Sequence, residues 1–287
     1  MSICYLNGEF MPLAEAKVPV LDRGFIFGDG VYEVIPVFHG RLFRLEQHLK
    51  RLQNSLDAVH IVNPLAESEW VFLLNSLITR NGDGDQSLYV QVTRGVARRD
   101  HVLPAPVPPT IFAMCNHLEP RAVPEPVAAI TREDIRWKWC DIKAIALLPN
   151  ILLRQQAVEA GAYEAILIRD GLVTEGAASN VFIAHSGVIK TPPKGPYLLP
   201  GVTRDLIIEL LKVHKIPCQE TEIREEELRA AEEVWLTSST REVVPVVQLD
   251  GRPVGRGQAG ELWRTVVSLY QAFKAAQTPR EAKQAIS

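Results

Sequence analysis

The sequence contains few cysteines, and none of them lies at a spacing that metal sites use. No two form a Cys-x-x-Cys pair, and no histidine cluster accompanies them, which argues against a zinc site. A disulfide framework requires a much higher cysteine density in a chain of this length. We therefore expect no metal and reduced, mostly buried thiols. The four cysteines are Cys4, Cys115, Cys140 and Cys218.

The sequence also lacks long apolar runs and a large excess of either charge. No apolar stretch is long enough to span a bilayer. The first ten residues, MSICYLNGEF, lack the basic and apolar regions of a signal peptide. Lysine and arginine number 31 against 34 aspartates and glutamates, so the formal net charge is −3. This balance gives no basis for binding nucleic acid or a membrane surface. Because the sequence shows neither a signal peptide nor a membrane span, we expect a cytoplasmic protein.

The hydrophobic patterning indicates a two-domain α+β protein. The 287 residues are 47% hydrophobic and 23% charged, as in ordinary globular proteins. Prolines 120, 124 and 126 can neither extend a helix nor join a sheet interior, so we place a domain boundary there, with a smaller domain over residues 1–120 and a larger one over 121–287. Short strand-like patterns predict strands over Cys4–Leu6, Gly30–Val37, Ser87–Thr93 and Thr110–Met114. Short apolar runs predict buried strands over Glu164–Ile168, Asn180–Ala184 and Glu233–Thr237. Helical spacing predicts helices over Leu45–Leu56, Glu67–Thr79, Thr203–His214 and Glu261–Ala276, and another that ends over Gln155–Gly161 with Gly161 as its cap.

One lysine stands out because its neighbours are apolar. Lys143 lies within the otherwise apolar stretch Ile142–Leu148. Lysines are rarely buried without a reason. Burial lowers the pKa of the amine and makes it a nucleophile for carbonyl carbons. A solvated lysine at the end of a strand fits the same pattern, so this segment alone leaves both interpretations open.

Three later segments carry groups that suit the binding of a small anionic molecule. Glu175 is predicted in a turn ahead of a strand, from which a carboxylate can point into a cleft. Gly201 opens a helix at Val202 and Thr203, and exposed amides at a helix start bind phosphate. The hydroxyl residues 237–240 follow a strand and can donate hydrogen bonds. Each segment alone also fits an ordinary turn or helix cap.

Taken together and in order, these segments resemble those of the class IV, pyridoxal-phosphate-dependent aminotransferases. The resemblance extends over nearly the whole chain and is greatest for the D-amino-acid aminotransferases. It implies a fold type IV enzyme with pyridoxal 5'-phosphate in the cleft between two domains. The matching segments are 22–33, 48–52, 92–95, 133–137, 140–143, 174–176, 179–182, 201–204 and 237–240.

The resemblance also implies a role for each matching residue. Lys143 would hold the cofactor as a Schiff base and move the proton at the substrate Cα. Glu175 would keep the pyridine nitrogen protonated, and Leu199 would pack on the ring. Arg136 would stabilise the residues that bind the cofactor. The phosphate would be bound by Arg51, Val202, Thr203, Ser238 and Ser239.

The expected substrate preference depends on the segment that follows Arg94. In D-amino-acid aminotransferases an Arg-x-His pair supplied by the partner subunit, together with a tyrosine on an early strand, binds the substrate carboxylate. Arg99, His101 and Tyr32 match these positions. The resemblance therefore implies a homodimer that transfers an amino group between a D-amino acid, such as D-alanine, and a 2-oxo acid, such as 2-oxoglutarate or pyruvate. The alternatives are a branched-chain L-amino-acid transaminase, an (R)-amine transaminase, an aminodeoxychorismate lyase of the same fold and a non-catalytic protein that binds pyridoxal phosphate.

Overall fold

The computed structural model describes residues 2–82, 84–119 and 124–277. Within these ranges the chain forms both helices and strands throughout, so the predicted α+β class is confirmed. The strands are β1 Ile3–Leu6, β2 Glu9–Pro12, β3 Gly30–Phe38, β4 Arg41–Leu42, β5 Gln86–Thr93, β6 Thr110–His117, β7 Val127–Glu133, β8 Glu164–Arg169, β9 Leu172–Gly176, β10 Asn180–His185, β11 Val188–Thr191, β12 Cys218–Glu220, β13 Glu233–Ser238, β14 Glu242–Leu249 and β15 Arg252–Pro253. The helices are α1 Arg23–Phe27, α2 Leu45–Ala58, α3 Glu67–Arg80, α4 Leu148–Glu159, α5 Val202–Val213, α6 Glu225–Arg229 and α7 Glu261–Gln277.

The first half of the chain builds an antiparallel sheet in the order β2-β1-β6-β5-β3-β4. Helices α2 and α3 cover it because both present leucines at helical spacing. Leu52, Leu56, Leu74 and Leu77 are almost completely buried in one apolar cluster with Val31 and other strand residues. Burial of a leucine side chain contributes about 1.5–3 kcal/mol, so this cluster holds β3 and α2 in a defined relation.

The second half builds a mixed sheet in the order β12-β11-β10-β13-β14-β7-β8-β9, with β15 paired to β14. Strand β7 pairs in parallel with β14 on one side and β8 on the other. Helices α5 and α7 pack over Phe182 and Trp235, which stack with ring centres 6.0 Å apart. Phe43 from the first half contacts Tyr270 of α7 and joins this cluster, so the two halves of the chain pack against each other.

Most predicted elements are confirmed, with ends displaced by a few residues at most. Two details are corrected. The cap of α4 is Ala160, and Gly161 follows it with a φ of +69°, a left-handed conformation that ends the helix. Glu175 lies within strand β9 rather than in a turn, and the turn comes after it. The alternating burial that identifies a strand is absent in β9, because four of its five residues are buried.

Two predictions concern the chain as a whole. The predicted domain boundary at residues 120 and 121 includes residues that lie outside the described ranges, although β6 before it and β7 after it belong to different sheets. No helix in the described part of the chain is long and apolar enough to cross a membrane. The cytoplasmic location stays a prediction from the sequence.

Candidate active site

A cavity of about 670 Å³ lies between the two sheets. Its wall is formed by β3 and α2 from the first half of the chain and by α4, β9, the start of α5 and the β13–β14 turn from the second. The irregular segment after β7 closes one side. The cavity brings together ten of the predicted site residues: Tyr32, Arg51, Arg136, Lys143, Glu175, Leu199, Val202, Thr203, Ser238 and Ser239.

Lys143 is held in the cavity by its backbone. The Tyr32 amide donates to the Lys143 carbonyl at 2.9 Å, and the Lys143 amide donates to Ser55 Oγ at 3.2 Å. The neighbouring Ala144 forms a bridge to Val31. The Nζ atom lies 4.1 Å from the centre of the Tyr32 ring. The lysine is therefore half-buried in an irregular segment, rather than at the end of a strand, and its amine faces the cavity.

Arg51 is oriented by a buried carboxylate. Its Nε and Nη2 donate to both oxygens of Glu33, at 2.7 and 2.8 Å. Its Nη1 donates to the Pro200 carbonyl at 3.1 Å, next to the start of α5. Burial opposes the charge on Glu33, but Arg51 and the hydrogen bond from His48 hold the pKa of this carboxyl well below its usual range. Arg51 thus presents a fixed positive charge at the cavity wall.

The start of α5 forms an anion cradle beside Arg51. Gly201 is the cap residue, and no side chain of the described residues caps the helix. The first amides of α5 therefore face the cavity at the positive end of the helix dipole. Thr237 lines the same wall, and its buried hydroxyl has no hydrogen-bond partner in the ranges that the structure covers. Free amides, hydroxyls and a guanidinium are the groups that bind phosphate.

Glu175 is buried on the opposite side of the cavity and receives three hydrogen bonds. Arg136 Nη1 donates to Oε1, Asn180 Nδ2 donates to Oε2 at 3.1 Å, and the Leu199 amide donates to Oε2 at 3.0 Å. Arg136 is itself held by Asp134 at 2.9 Å. Burial raises the pKa of Glu175 to about 7, although the Arg136 charge favours the carboxylate. A cation placed against this carboxyl would lower the pKa again.

Two of the predicted residues lie away from this cavity. Arg99 and His101 are exposed and pack on the Phe27 ring of α1, at 5.4 and 5.6 Å from its centre. The segment is fixed there because Arg23 Nη1 donates to the Asp100 carbonyl at 2.7 Å. Neither residue lines the cavity. Within one chain, Tyr32 is the only member of the predicted carboxylate trap at the cavity wall.

Sequence reasoning missed several residues that organise the site. Glu33, His48, Asp134 and Asn180 are buried and form the hydrogen bonds that orient Arg51, Arg136 and Glu175. The available signal was a charged residue inside an apolar strand, as with Glu33 in Gly30–Phe38. A buried charge needs a partner, but the sequence does not show which residue is the partner.

Comparison with known proteins assigns the family. Residues 30–249 match the model of the amino-transferase class IV family. The chain belongs to this family. It is 42% identical to a D-alanine aminotransferase of Bacillus licheniformis, covering 92% of this chain and 94% of that protein. It is 39% identical to a D-alanine aminotransferase of Staphylococcus aureus strain MW2, covering 95% and 98%.

A solved structure confirms the predicted fold type IV architecture. The T.th. branched-chain amino acid aminotransferase with pyridoxamine 5'-phosphate has a TM-score of 0.89 at 28% identity, covering 96% of this chain and 95% of that one. The cavity between the two sheets is therefore the candidate active site of this class IV aminotransferase. The higher sequence identity is with D-alanine aminotransferases, whereas this solved structure is a branched-chain aminotransferase.

Proposed function

We propose that this class IV aminotransferase uses pyridoxal 5'-phosphate to transfer amino groups between D-amino acids and 2-oxo acids. One observation carries the proposal. The Lys143 amine, the buried Glu175 carboxyl and the uncapped start of α5 all line the same cavity. The D-alanine aminotransferases that are about 40% identical over nearly the whole chain support the choice of D-amino acids.

The residues at the wall suit the parts of this cofactor. Arg51, the Val202 and Thr203 amides, and the hydroxyls of Ser238 and Ser239 would bind its phosphate. Lys143 would hold it covalently through Nζ, and Leu199 would contact its ring. When bound, the cofactor withdraws electrons from the substrate Cα, which makes the Cα proton removable.

The protein groups then move and hold protons. Lys143 Nζ would take the proton from the Cα of the donor amino acid and deliver it to the C4′ carbon of the cofactor. In the acceptor half-reaction it would move a proton in the opposite direction, onto the Cα of the new amino acid. Glu175 would keep a proton on the ring nitrogen of the cofactor, and Arg136 would hold Glu175 in position through its contact with Oε1. A carboxylate fixed by three donors cannot rotate away from the ring nitrogen, so the proton stays where electron withdrawal requires it.

We further propose a homodimer in which the partner copy completes the substrate site. Arg99 and His101 pack on α1 outside the cavity of their own chain, so they can serve a cavity only in a second copy. Apolar side chains around them are exposed, as an interface requires: Val20, Leu21, Phe25, Val96 and Leu103. With Tyr32, the partner's pair would bind the substrate α-carboxylate through charge-assisted hydrogen bonds.

The similarity to a solved branched-chain aminotransferase favours one other candidate, a transaminase of branched-chain L-amino acids. The absorbance spectrum of the purified protein with its cofactor distinguishes the two. We expect a visible band that fades after addition of D-alanine and persists after addition of L-leucine. Fading with L-leucine alone would contradict the D-amino-acid assignment. If wild-type protein with added cofactor shows no such band, the protein does not use pyridoxal 5'-phosphate. The Lys143→Ala variant serves as the reference, because it lacks the amine that holds the cofactor and should show no such band.

A further inference from the structure

The cavity wall carries two cations that the proposed function leaves without a role. Arg154 on α4 and Arg241 in the β13–β14 turn both line the cavity. Neither guanidinium forms an ion pair or a hydrogen bond with another residue in the described ranges. Arginines that line a cavity usually bind an anion or pair with a carboxylate. Within the part of the chain that the structure describes, these two pair with no carboxylate.

Both arginines converge on one aromatic ring. The guanidinium carbon of Arg154 lies 5.0 Å from the centre of the Tyr163 ring, and that of Arg241 lies 5.8 Å from the same centre. These distances allow cation–π attraction, which holds long side chains in place. Nη1 of Arg154 is buried without a hydrogen-bond partner among the residues that the structure covers. Both guanidinium carbons therefore lie within 5.8 Å of one ring centre at the cavity wall.

The nearest buried carboxylate does not neutralise them. Glu164 accepts hydrogen bonds from the Ala165 amide and from Ser179 Oγ, both at 3.0 Å. Burial raises the pKa of Glu164, and the charge of Arg154 offsets this only in part. The oxygens of Glu164 are thus used by its own neighbours, and the arginines keep their capacity to bind an anion from outside.

We propose that Arg154 and Arg241 form a subsite for the distal carboxylate of a dicarboxylic substrate, with glutamate as amino donor and 2-oxoglutarate as acceptor. This proposal rests on the proposed function, because it assigns the remaining charge in the same cavity. The other two anionic positions already have donors: the start of α5 with Arg51 for a phosphate, and Tyr32 with the partner copy for an α-carboxylate. A third anionic group on the substrate matches the third cationic position.

The competing role for Arg241 is phosphate binding, because it follows Ser238 and Ser239 in the same turn. Substitution of Arg241 would have different effects under these two roles. A phosphate ligand affects cofactor retention and all substrates equally. A distal-carboxylate ligand affects dicarboxylic substrates and leaves the affinity for the cofactor unchanged.

The test uses the cofactor-loaded protein after conversion with D-alanine and removal of free amino acid. The acceptor half-reaction is then followed by absorbance with 2-oxoglutarate or with pyruvate. For Arg154→Met and for Arg241→Met we expect kcat/KM for 2-oxoglutarate to fall about tenfold or more, since each loses a charged hydrogen bond. The value for pyruvate should stay within about twofold, as for surface changes elsewhere. Arg264→Met on the exposed face of α7 is the matched control.

Calorimetric binding of glutarate and butyrate gives a second readout that needs no catalysis. Wild type should bind glutarate more tightly than butyrate, both arginine variants should reduce this preference, and Arg241→Lys should restore part of it. The proposal would be contradicted if either variant lost kcat/KM equally for 2-oxoglutarate and pyruvate, or if it bound the cofactor more weakly. It would also be contradicted if neither variant changed kcat/KM for either oxo acid. If the wild type transfers no amino group to any acceptor, the proposed function fails, while the glutarate measurement still tests the two arginines.

Discussion

Single residues in the candidate site depend on charges that the fold buries in pairs. Glu33 holds Arg51 by two hydrogen bonds, and Asp134 holds Arg136 in the same way. Removing one partner of a buried pair leaves the other charge without compensation, which costs more than the pair itself contributes. The chemistry of the site therefore requires buried residues that touch no substrate.

We expect Glu33→Gln to destabilise the protein by about 3–5 kcal/mol at neutral pH, because Arg51 stays buried without its carboxylate. Burial opposes the charge on Glu33, but Arg51 lowers its pKa below the ordinary value. Its contribution to stability is thus complete above the ordinary pKa of about 4.3 and declines as the pH falls below that value. Urea unfolding from neutral to acidic pH should show a larger loss for wild type than for Glu33→Gln.

The exposed Glu46 on the same helix as Arg51 provides the control, since Glu46→Gln should follow the wild-type curve. Parallel pH curves for wild type and Glu33→Gln would show that the Glu33 carboxylate contributes no pH-dependent stability.

We expect Lys143→Ala to lower the rate of amino transfer by about 100-fold or more, the usual contribution of a positioned proton-transfer group. Lys138→Ala, which removes an exposed lysine earlier in the same segment, should leave the rate unchanged. Steady-state kinetics with D-alanine and 2-oxoglutarate measures both variants. A Lys143→Ala protein with wild-type kcat would exclude Lys143 as the group that moves the Cα proton.

At the scale of elements, the start of α5 connects the two sides of the cavity. Asn180, the first residue of β10, donates hydrogen bonds to Glu175 and to the Leu199 carbonyl. Its side-chain amide therefore links β9 to the segment that precedes α5. Gly201 fits against this amide because it lacks a side chain. A Cβ at this position would lie 2.0 Å from Asn180 Oδ1.

Gly201→Ala should therefore displace Asn180 and loosen both Glu175 and the anion cradle. We expect a loss of about 1–3 kcal/mol in stability, typical of an overpacked site, and weaker retention of the cofactor. Thermal unfolding and fluorescence titration with pyridoxal 5'-phosphate measure the two effects. Gly195→Ala, at a glycine without a positive φ where a Cβ meets no neighbour, controls for the loss of a glycine outside regular structure. Wild-type cofactor affinity in Gly201→Ala would show that the cradle does not depend on Asn180.

At the scale of the whole molecule, one chain does not bring the predicted substrate-binding residues together. Tyr32 faces the cavity, whereas Arg99 and His101 pack against Phe27 of α1, outside the cavity. Exposed apolar residues surround them. A symmetric pair of chains would bring each loop to the other cavity.

Mixing two inactive variants tests this arrangement. Lys143→Ala lacks the proton-transfer group, and the double variant Arg99→Ala, His101→Ala lacks the trap. After mixing and subunit exchange, a mixed dimer would contain one intact site, so random pairing should restore on the order of a quarter of the wild-type activity. No recovery in samples shown by sedimentation to contain mixed dimers would place the pair in its own chain's site and contradict the proposed exchange.

The elements were largely predictable because their signals are local. Leucines at helical spacing identify α2, and alternating apolar residues identify β5 and β6, since an exposed face and a buried face repeat within a few residues. Strand β9 carries no such signal because it is buried on both faces, and the sequence therefore predicts a turn at Glu175 where the structure has a strand. The residues that line the cavity were predicted by family resemblance rather than by spacing.

The sequence by itself determined the α+β class, the order of the main elements and the family, because periodicity and motif order are properties of neighbouring residues. Only the tertiary structure decided that Lys143, Arg51 and Glu175 share one cavity, since this depends on how the two halves of the chain pack against each other. It also decided that Glu33 orients Arg51 and that Arg99 lies outside its own cavity. The physical reason is that buried charges select their partners by proximity in the folded chain, and the pattern of a single segment carries no information about that proximity.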